Sequence, residues 1–409
     1  METTNTTTIN PVQIVTIKNK IPLFKGEEMA NAIEKIEIEE NGFNLVAQKD
    51  LYQIGDKAIY IQPDYSLSDI PLFESFLRPF GDAKKSKLGS NNRIRAVKFN
   101  LHTGDNEPVF SVGILLPIGE VMNYLWSLPE YSDYDGYSLP ITNAEVLGIT
   151  KWEEPENTGR GGLKVNSGKS YPSGVYKTDE TNINNVWKHL DVKIGFPVQL
   201  IGTQKIDGSS ISLIVNVENK TVQVGSRSYI KPEKIQKVVS HRSPNIFERL
   251  LSIFGYKPNL LVKEEVDNDD QFVVLAKPYI DKIKVLLDNG TLEKSFILRG
   301  EACGQSWKGS GNKNNPNAMN EPQIYFYGVD DYSNMVAVKH GEEVFDQYMR
   351  TLGFNRCPVI FNKTFESKEE LINECKSYFK NNMIEGIVVR TMDSSFSAKF
   401  MNDDYDSKK

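Results

Sequence analysis

The sequence predicts an α+β fold, and three features of the residue pattern lead to this class. Residues 12–117 contain about five short β-rich runs separated by turns, without a long helical pattern. Residues 171–409 mix such runs with helical patterns at Glu342–Leu352 and Lys368–Asn381. A Gly- and Ser-rich stretch, Gly159–Ser173, lies between the two parts. Strands mixed with helices in this way are typical of α+β proteins.

The same pattern divides the chain into four segments. Residues 1–11 are predicted to be disordered, residues 12–117 to form a first domain, residues 118–170 to form a connector with a mobile loop, and residues 171–409 to form a second domain. The strands predicted in the first domain are Ile33–Ile38, Asn44–Gln48, Ala58–Gln62, Ile94–Phe99 and Val109–Leu116. About five strands on roughly 100 residues are compatible with an OB-fold β-barrel.

The composition is that of a soluble chain. It has 409 residues, of which 39% are hydrophobic and 25% charged, which is enough for two or three domains with apolar cores. No apolar run approaches the ~18 residues that span a bilayer, and no signal peptide opens the chain. Three cysteines without metal-ligand spacing favour a reduced setting, and four histidines leave little material for a histidine-based metal site. We therefore expect a cytoplasmic monomer with no disulfide framework and no membrane partner.

The net charge of −6 means that nucleic acid would have to bind to local basic patches. Such a patch is predicted between Lys84 and Lys98, where six residues are basic and none is acidic. A solvated loop and edge strand would explain this run about as well as a phosphate-contacting surface would. The residues that we assign to RNA contact are Lys84, Lys85, Lys87, Arg93 and Arg95.

The sequence Lys205-Ile206-Asp207-Gly208 lies between two β-rich runs, Phe196–Gly202 and Ile211–Val217. Enzymes use lysine as a nucleophile where burial or neighbouring cations lower its pKa. The motif offers an amine, a carboxylate two residues later, and a glycine that permits close approach of backbone or phosphate. Because Lys-x-Asp-Gly occurs by chance about 0.1 times in a chain of this length, it is only suggestive alone.

Other candidate groups follow in a fixed order along the chain. Arg227 ends a strand that forms a predicted hairpin with the strand after Lys205, and Glu301 ends an apolar strand. The run Ile324–Val329 is aromatic and could supply a platform for a base. Glu385 begins a buried strand, where its charge requires a metal or cation, and Lys399 comes last. Each position taken alone is more often structural than functional.

In this order the motifs resemble those of the covalent nucleotidyltransferases, which include DNA ligases, RNA ligases and mRNA capping enzymes. Only ten residues follow Lys399, and the candidate OB-fold lies at the other end of the chain. This arrangement resembles the branch of ATP-dependent RNA ligases that begins with an OB-fold domain, the fifth RNA ligase family. Further segments similar to this branch are Gly55–Ile61, Leu147–Glu153 and Lys177–Glu180. The second domain is then expected to be an ATP-grasp-like antiparallel sheet with helices.

The resemblance implies ATP and Mg²⁺ or Mn²⁺ as cofactors, and RNA as the partner, as a nicked duplex, an RNA–DNA hybrid or a single strand. Lys205 would form a lysyl-AMP with the α-phosphate of ATP, the AMP would pass to an RNA 5′-phosphate, and a 3′-hydroxyl would displace it in RNA repair. Glu385 would hold metal with help from Asp207, which is also assigned to catalysis. The implied nucleotide-binding residues are Gln204, Arg227, Glu301, Phe326 and Lys399, with Tyr327 or Val329 as alternatives to Phe326.

Two positions depart from the family pattern. Asn182 stands where the family often has arginine after Thr-Asp-Glu-x, and Ser397 replaces the first lysine of a Lys-x-Lys motif. We expect these changes to affect the efficiency of one step, and Lys177 or Arg390 is a candidate for compensation. Two alternatives remain open: a capping-type guanylyltransferase, and a non-catalytic RNA-binding protein with the same fold.

Overall fold

The computed structural model describes residues 10–104, 108–152, 169–172, 174–175, 180–227, 229–241, 243, 261–308, 310–311 and 314–407. The predicted disordered terminus lies almost wholly outside the described residues, and so does most of the predicted mobile loop Gly159–Ser173. Within the described residues, no helix is long and apolar enough to cross a membrane.

The N-terminal unit, residues 10–152, is built from nine strands and two α-helices. The strands are β1 (Val12–Lys25), β2 (Glu28–Ile38), β3 (Asn44–Gln48), β4 (Lys57–Ile61), β5 (Tyr65–Leu67), β6 (Ala96–Phe99), β7 (Val109–Val112), β8 (Ile114–Pro117) and β9 (Ile149–Lys151), and the helices are α1 (Glu74–Leu77) and α2 (Ile118–Trp126). The main sheet has the order β3-β2-β1-β4-β8 and curls into a half-barrel. Its neighbouring strands pair antiparallel, and β5–β9 and β6–β7 form separate pairs. The prediction that this part of the chain is rich in β-strands is confirmed.

Strand β1 explains the curl of this sheet. Its first part, Val12–Thr16, pairs with β4, whereas Ile17–Lys25 pairs with β2, with register shifts after Ile17 and Pro22. Such irregularities bend a strand and increase its twist, so one strand can serve both sides of a curled sheet. The sequence analysis assigned no strand to β1.

Both faces of β4 are buried. Tyr60 packs into one apolar cluster and Ile59 into another, in the alternation expected of a strand. Residues of the predicted connector, among them Val121, Leu125 and Leu147, complete the second cluster. The start of the connector is therefore corrected, because residues 118–152 supply apolar side chains to the core of the N-terminal unit.

The C-terminal unit, residues 169–407, contains two main antiparallel sheets. Its strands are β10 (Lys169–Ser170), β11 (Val198–Lys205), β12 (Ser209–Asn216), β13 (Thr221–Gly225), β14 (Tyr229–Lys231), β15 (Lys234–His241), β16 (Leu261–Asp267), β17 (Phe296–Cys303), β18 (Gln323–Asp331), β19 (Val338–Lys339), β20 (Val359–Phe365), β21 (Gly386–Thr391) and β22 (Ser397–Met401). The larger sheet has the order β10-β14-β13-β12-β17-β18-β19, and the smaller has the order β20-β11-β21-β22. Strands β15 and β16 form a separate pair.

Helices cover one face of each sheet. They are α3 (Ile183–His189), α4 (Gln271–Asp288), α5 (Glu342–Leu352), α6 (Lys368–Asn381) and α7 (Asp403–Asp406). Helices α4 and α5 pack on the larger sheet, while α3 and α6 pack on the smaller one. The predicted α+β class is confirmed, and both predicted helices have the bounds of α5 and α6. Helix α4 was not predicted.

A buried ion pair joins two strands of the larger sheet. Arg299 Nε donates to Asp330 Oδ2 at 2.8 Å, and both side chains are about 97% buried, with exposed fractions of 3% and 2%. We expect Arg299→Leu to lower the free energy of unfolding by about 3–5 kcal/mol, because it leaves the Asp330 carboxylate buried without this cation. Denaturant unfolding measures this loss. The double variant Arg299→Leu/Asp330→Leu should recover much of it, and a double variant no more stable than the single one would contradict the explanation.

Candidate active site

Lys205 ends β11, where its backbone pairs with Gly386 at the start of β21. The residue before that glycine, Glu385, accepts a hydrogen bond from Lys205 Nζ at Oε2, at a distance of 2.5 Å. Glu385 is 7% exposed, whereas a quarter of the Lys205 side chain is exposed. Adjacent strands thus place the predicted nucleophile and the predicted metal-binding carboxylate in direct contact.

Asp207 lies in the turn between β11 and β12 and is 6% exposed. Its backbone carbonyl accepts a hydrogen bond from Asn315 Nδ2 at 2.5 Å, and Oδ2 accepts one from Tyr405 Oη at 2.8 Å. Gly311, which has a positive φ of 71°, packs against the carboxylate so closely that a Cβ would lie 2.1 Å from its carbon. Only glycine fits there, and the loop thereby fixes the orientation of Asp207.

The glycine of the Lys-x-Asp-Gly motif has a comparable steric cause. A Cβ at Gly208 would lie 2.4 Å from the carbonyl oxygen of Ala302 and 3.0 Å from Cγ of Glu301. The sequence analysis proposed close approach of backbone or phosphate, and the structure shows the approach of backbone. Gly208 therefore allows the turn after Lys205 to lie directly against the strand that carries Glu301.

Glu301 is half-buried in β17, opposite Ser210. Burial is the largest cause that raises the pKa of Glu301, and the charges of Glu385 and Asp207 also raise it. The charges of Lys205 and Arg227 lower it, and the net result is a pKa of about 8. These charge effects place Lys205, Asp207, Arg227 and Glu385 around Glu301. The exposed Arg227 follows β13. Five predicted residues thus surround one cleft that combines carboxylates with two cations.

The raised pKa of Glu301 predicts a pH dependence of stability. The carboxyl ionises near pH 4.5 in the unfolded chain but stays protonated up to about pH 8 in the folded protein. The contribution of this group to stability is therefore fully present below pH 4.5 and is lost as the pH rises through about 8. We expect Glu301→Gln to remove this decline. Thermal unfolding of metal-free protein across this range tests it, and a Tm difference between wild type and variant that is constant with pH would contradict it.

The carboxylates of this cleft fit a hard divalent cation. Mg²⁺ and Mn²⁺ prefer oxygen ligands. The charges of Glu385 and Asp207 raise the pKa of Glu301, so the three acidic groups are close enough to repel one another, and a bound cation would reduce this repulsion. In the described part of the chain, no group of three His, Cys, Asp or Glu side chains is arranged to bind a metal directly. Binding through metal-bound water, which Mg²⁺ usually retains, is compatible with both observations.

Lys399 lies in β22, and its side chain reaches toward the N-terminal unit. Its Nζ lies 3.5 Å from Asp64 Oδ2, and 11% of the side chain is exposed. Burial raises the pKa of Asp64, but the charges of Lys399, Arg93 and Lys151 outweigh this effect and hold it well below its usual range. Lys399 is therefore held at the junction of the two units.

Arg93 differs from the other predicted RNA-binding residues. Its guanidinium donates to Asp64 Oδ1 at 2.5 Å, lies 3.5 Å from Asp406 and packs over the Trp152 ring, with 12% of the side chain exposed. Lys84, Lys85 and Lys87 are exposed, and Arg95 is half-buried with Nε bonded to the carbonyl of Lys87. The structure thus assigns Arg93 to the junction between the units, and the other four residues to a surface beside it.

Phe326 does not face the cleft, so its assignment to base stacking is corrected. It is fully buried under the helices, with its ring 5.7 Å from that of Tyr279 and 5.4 Å from that of Phe354. A bulge in β18 at Tyr327, which has no partner in β17, shifts the register between the two strands. Tyr327, one of the two alternatives, packs instead against the cluster that contains Ile206. Val329, the other alternative, lies in the same core as Phe326.

Gln204 precedes Lys205 in β11 and is half-buried, and its backbone amide donates to the carbonyl of Pro358 at 2.9 Å. Its role in nucleotide binding stays a prediction.

The two departures from the family pattern are neighbours in space. Asn182 forms a parallel bridge with Lys399, and Ser397 lies two residues earlier on the same strand.

Burial raises the pKa of Glu180, but the charges of Lys339 and Arg390 outweigh it and hold the pKa below its ordinary value. Of the two candidates for compensation, Lys177 lies outside the described residues. Arg390 is buried and donates to Thr203 Oγ1 and to the carbonyl of Tyr327, so it connects the two sheets.

Comparisons with known proteins give matches in family and in fold. A protein-family model described as RNA ligase matches residues 198–402. A lysine-to-methionine variant of Naegleria gruberi RNA ligase with AMP and Mn is similar in structure, with a TM-score of 0.64, 18% identity and coverage of 98% of this chain and 99% of that chain. The Naegleria gruberi RNA ligase with PPi has a TM-score of 0.64, 19% identity and coverage of 97% of each chain. A lysine-to-alanine variant with ATP and Mn has a TM-score of 0.65, 18% identity and coverage of 98% and 99%. No curated protein sequence matches this chain significantly.

Proposed function

Since this chain belongs to the RNA ligase family and is a polynucleotide ligase, we propose that it is an ATP-dependent RNA ligase acting in RNA repair. It joins an RNA 3′-hydroxyl to a 5′-phosphate through a lysyl-AMP and an adenylylated RNA end. The observation that carries this proposal is the contact between Lys205 Nζ and the Glu385 carboxylate at 2.5 Å, beside Asp207 and Glu301. The contact brings together an amine and carboxylates that could bind a metal, which are the groups that nucleophilic attack on a metal-bound phosphate requires.

In the first step, Lys205 Nζ attacks the α-phosphorus of ATP. A phosphorus–nitrogen bond forms, the bond to the bridging oxygen breaks, and pyrophosphate leaves with that oxygen. The amine must be neutral to attack, so the ion pair with Glu385 has to open and the proton has to leave Lys205. Arg227 and Lys399 bind phosphates and stabilise the charge that develops on them, because phosphoryl transfer depends mainly on positioning and electrostatics.

The nucleoside part of ATP is held by other groups of the same cleft. Glu301, protonated up to about pH 8, binds the ribose hydroxyls from β17. Tyr327 replaces Phe326 as the side chain assigned to the adenine, and Gln204, which precedes Lys205 on β11, is assigned to the nucleotide as well. Glu385 and Asp207 would hold a divalent metal, Mg²⁺ or Mn²⁺. When bound, this metal neutralises charge on the phosphates and favours the unprotonated lysine.

In the later steps, AMP moves from Lys205 to the RNA 5′-phosphate, and the 3′-hydroxyl then attacks that phosphate and releases AMP. Lys84, Lys85, Lys87 and Arg95 would contact the RNA backbone, since exposed cations bind phosphates without reading sequence. The surface lies beside Arg93, which contacts Asp64, the partner of Lys399. A nicked duplex or an RNA–DNA hybrid bound there by a monomer would present its broken end to the cleft.

The test of this function is transfer of label from nucleotide to protein and then to RNA. Purified protein is incubated with α-labelled ATP or GTP and a divalent metal, and the products are separated on a denaturing gel. Label from ATP, followed by sealing of a nicked RNA substrate, would support the proposal. Label from GTP alone would instead indicate guanylyl transfer. No label from folded protein that carries no AMP at the start would favour a binding protein.

A further inference from the structure

The segment Asn402–Asp406, which includes α7, contacts both residues assigned to metal binding, at the carboxylate of Asp207 and at the backbone of Glu385. We call it the clamp. Tyr405 is 1% exposed, and its Oη donates to Asp207 Oδ2 at 2.8 Å. The backbone amide of Asn402 donates to the carbonyl of Glu385 at 2.9 Å, and its side-chain amide donates to the carbonyl of Ile384 at 3.0 Å. One short segment therefore positions the side chain of Asp207 and the backbone of Glu385.

The clamp also binds the N-terminal unit. Asp406 Oδ2 accepts a hydrogen bond from the backbone amide of Ala96 at 3.0 Å, and Oδ1 lies 3.5 Å from Arg93. Asp404 Oδ1 accepts a hydrogen bond from Lys98 Nζ at 2.7 Å. Asp404 and Asp406, which flank Tyr405 in the sequence, thus attach the clamp to strand β6 and to Arg93. The N-terminal unit is connected to Asp207 through a single turn of helix.

We propose that Tyr405 is a positioning residue, which holds the Asp207 carboxylate in the orientation that metal binding requires. The inference rests on the proposed function. Gly311 packs against the carboxylate, and the Tyr405 hydroxyl fixes one of its oxygens, so rotation about the Cβ–Cγ bond of Asp207 is restricted. The phenol hydroxyl is the donor in this contact, and the buried ring of Tyr405 fixes its position.

The test is Tyr405→Phe, which removes one oxygen atom and keeps the ring. We expect the Mn²⁺ concentration that gives half-maximal adenylylation to rise by about 10-fold or more, as for loss of a hydrogen bond to a charged group. Binding of Mn²⁺ alone, followed by the electron paramagnetic resonance signal of the free ion, should weaken in parallel. The matched control is Tyr332→Phe, a tyrosine 2% exposed in a separate apolar cluster, which should change neither quantity.

A double-variant cycle separates positioning from a general loss of stability. If Tyr405 acts through Asp207, Tyr405→Phe should add little to the loss caused by Asp207→Asn, whereas independent effects would add. Should Tyr405→Phe unfold, Asp406→Ala, which retains Tyr405, provides the second test and should raise the half-saturating Mn²⁺ concentration about three-fold or more. Unchanged Mn²⁺ dependence in a folded Tyr405→Phe or Asp406→Ala variant would overturn the assignment. Absence of label in the wild type would overturn the proposed function, while Mn²⁺ binding would still test Tyr405.

Discussion

Lys205→Ala is expected to take up no AMP from ATP, a loss of at least about 10⁴-fold in the rate of adenylylation. The alanine has no atom that can form the phosphorus–nitrogen bond, so the first step has no covalent route. The measurement is incubation with α-labelled ATP and metal, followed by a denaturing gel. Circular dichroism and thermal unfolding confirm that the variant is folded, which we expect because Lys205 is partly exposed and fills no core position.

The matched control is Lys220→Ala. Lys220 lies in the turn between β12 and β13, more than half of its side chain is exposed, and it pairs with Asp288 on the surface. The control should label like the wild type, because exposed ion pairs contribute little and this one is not part of the cleft. A labelled Lys205→Ala protein would eliminate Lys205 as the nucleophile and with it the lysyl-AMP at this position.

Glu385→Gln is expected to lower the rate of adenylylation by about 100-fold, the upper range for residues that orient a metal through its water ligands. The direction of the effect is informative. If Glu385 were only the ion-pair partner of Lys205, its removal would release the amine and the rate would rise. If it holds metal, the rate should fall, and a higher Mn²⁺ concentration should restore part of it. Initial rates across a metal titration distinguish these two results.

Glu374→Gln is the control for Glu385→Gln. Glu374 also accepts a hydrogen bond from a lysine, Lys363, at 2.7 Å, but both side chains are about 40% exposed on the outer surface. It should leave the rate and the metal dependence unchanged. A Glu385→Gln protein as active as this control would show that the carboxylate has no role in metal binding.

Much of this site could be predicted because the residues that carry its chemistry belong to short motifs at strand ends. Lys205 and Glu385 lie on adjacent strands, so a motif at the end of one meets a motif at the start of the next. The nearby glycines, Gly208 and Gly386, are required because backbone of a neighbouring strand lies too close for a Cβ. A glycine required in this way is visible in the sequence as part of the motif. The helices α5 and α6 were predictable because each has a capping signal and an amphipathic pattern.

The register of β18 could not be predicted from alternation. The run Tyr325-Phe326-Tyr327 contains aromatic residues on every position, so the sequence does not indicate which ring faces the core. The bulge at Tyr327 decides this, and a bulge depends on pairing with β17 rather than on local sequence. Phe326 therefore packs under α4, and Tyr327 faces the cluster around Ile206.

Tertiary contacts also separated residues that the sequence grouped together. Arg93 belongs to a run of basic residues, yet its partners Asp64 and Asp406 come from distant positions and bury it. Tyr405 carries no motif, since a single tyrosine near several aspartates is an ordinary composition. Its role becomes visible only when the fold brings it to Asp207. Such contacts depend on how the two units meet, which local patterns do not encode.

The contacts of the clamp determine the order in which parts of the structure can form while the protein is synthesised. Ala96 and Asp406 are 310 positions apart in the chain, and Asp207 and Tyr405 are 198 apart. Contacts of such separation are slow to form, because the entropy of closing the loop must be overcome first. Strand β22, which carries Lys399 and completes the smaller sheet, immediately precedes the clamp, so the two leave the ribosome together. The complete site, with Asp207 held by Tyr405, can therefore form only after synthesis has passed residue 406, long after the basic surface of the N-terminal unit has been made.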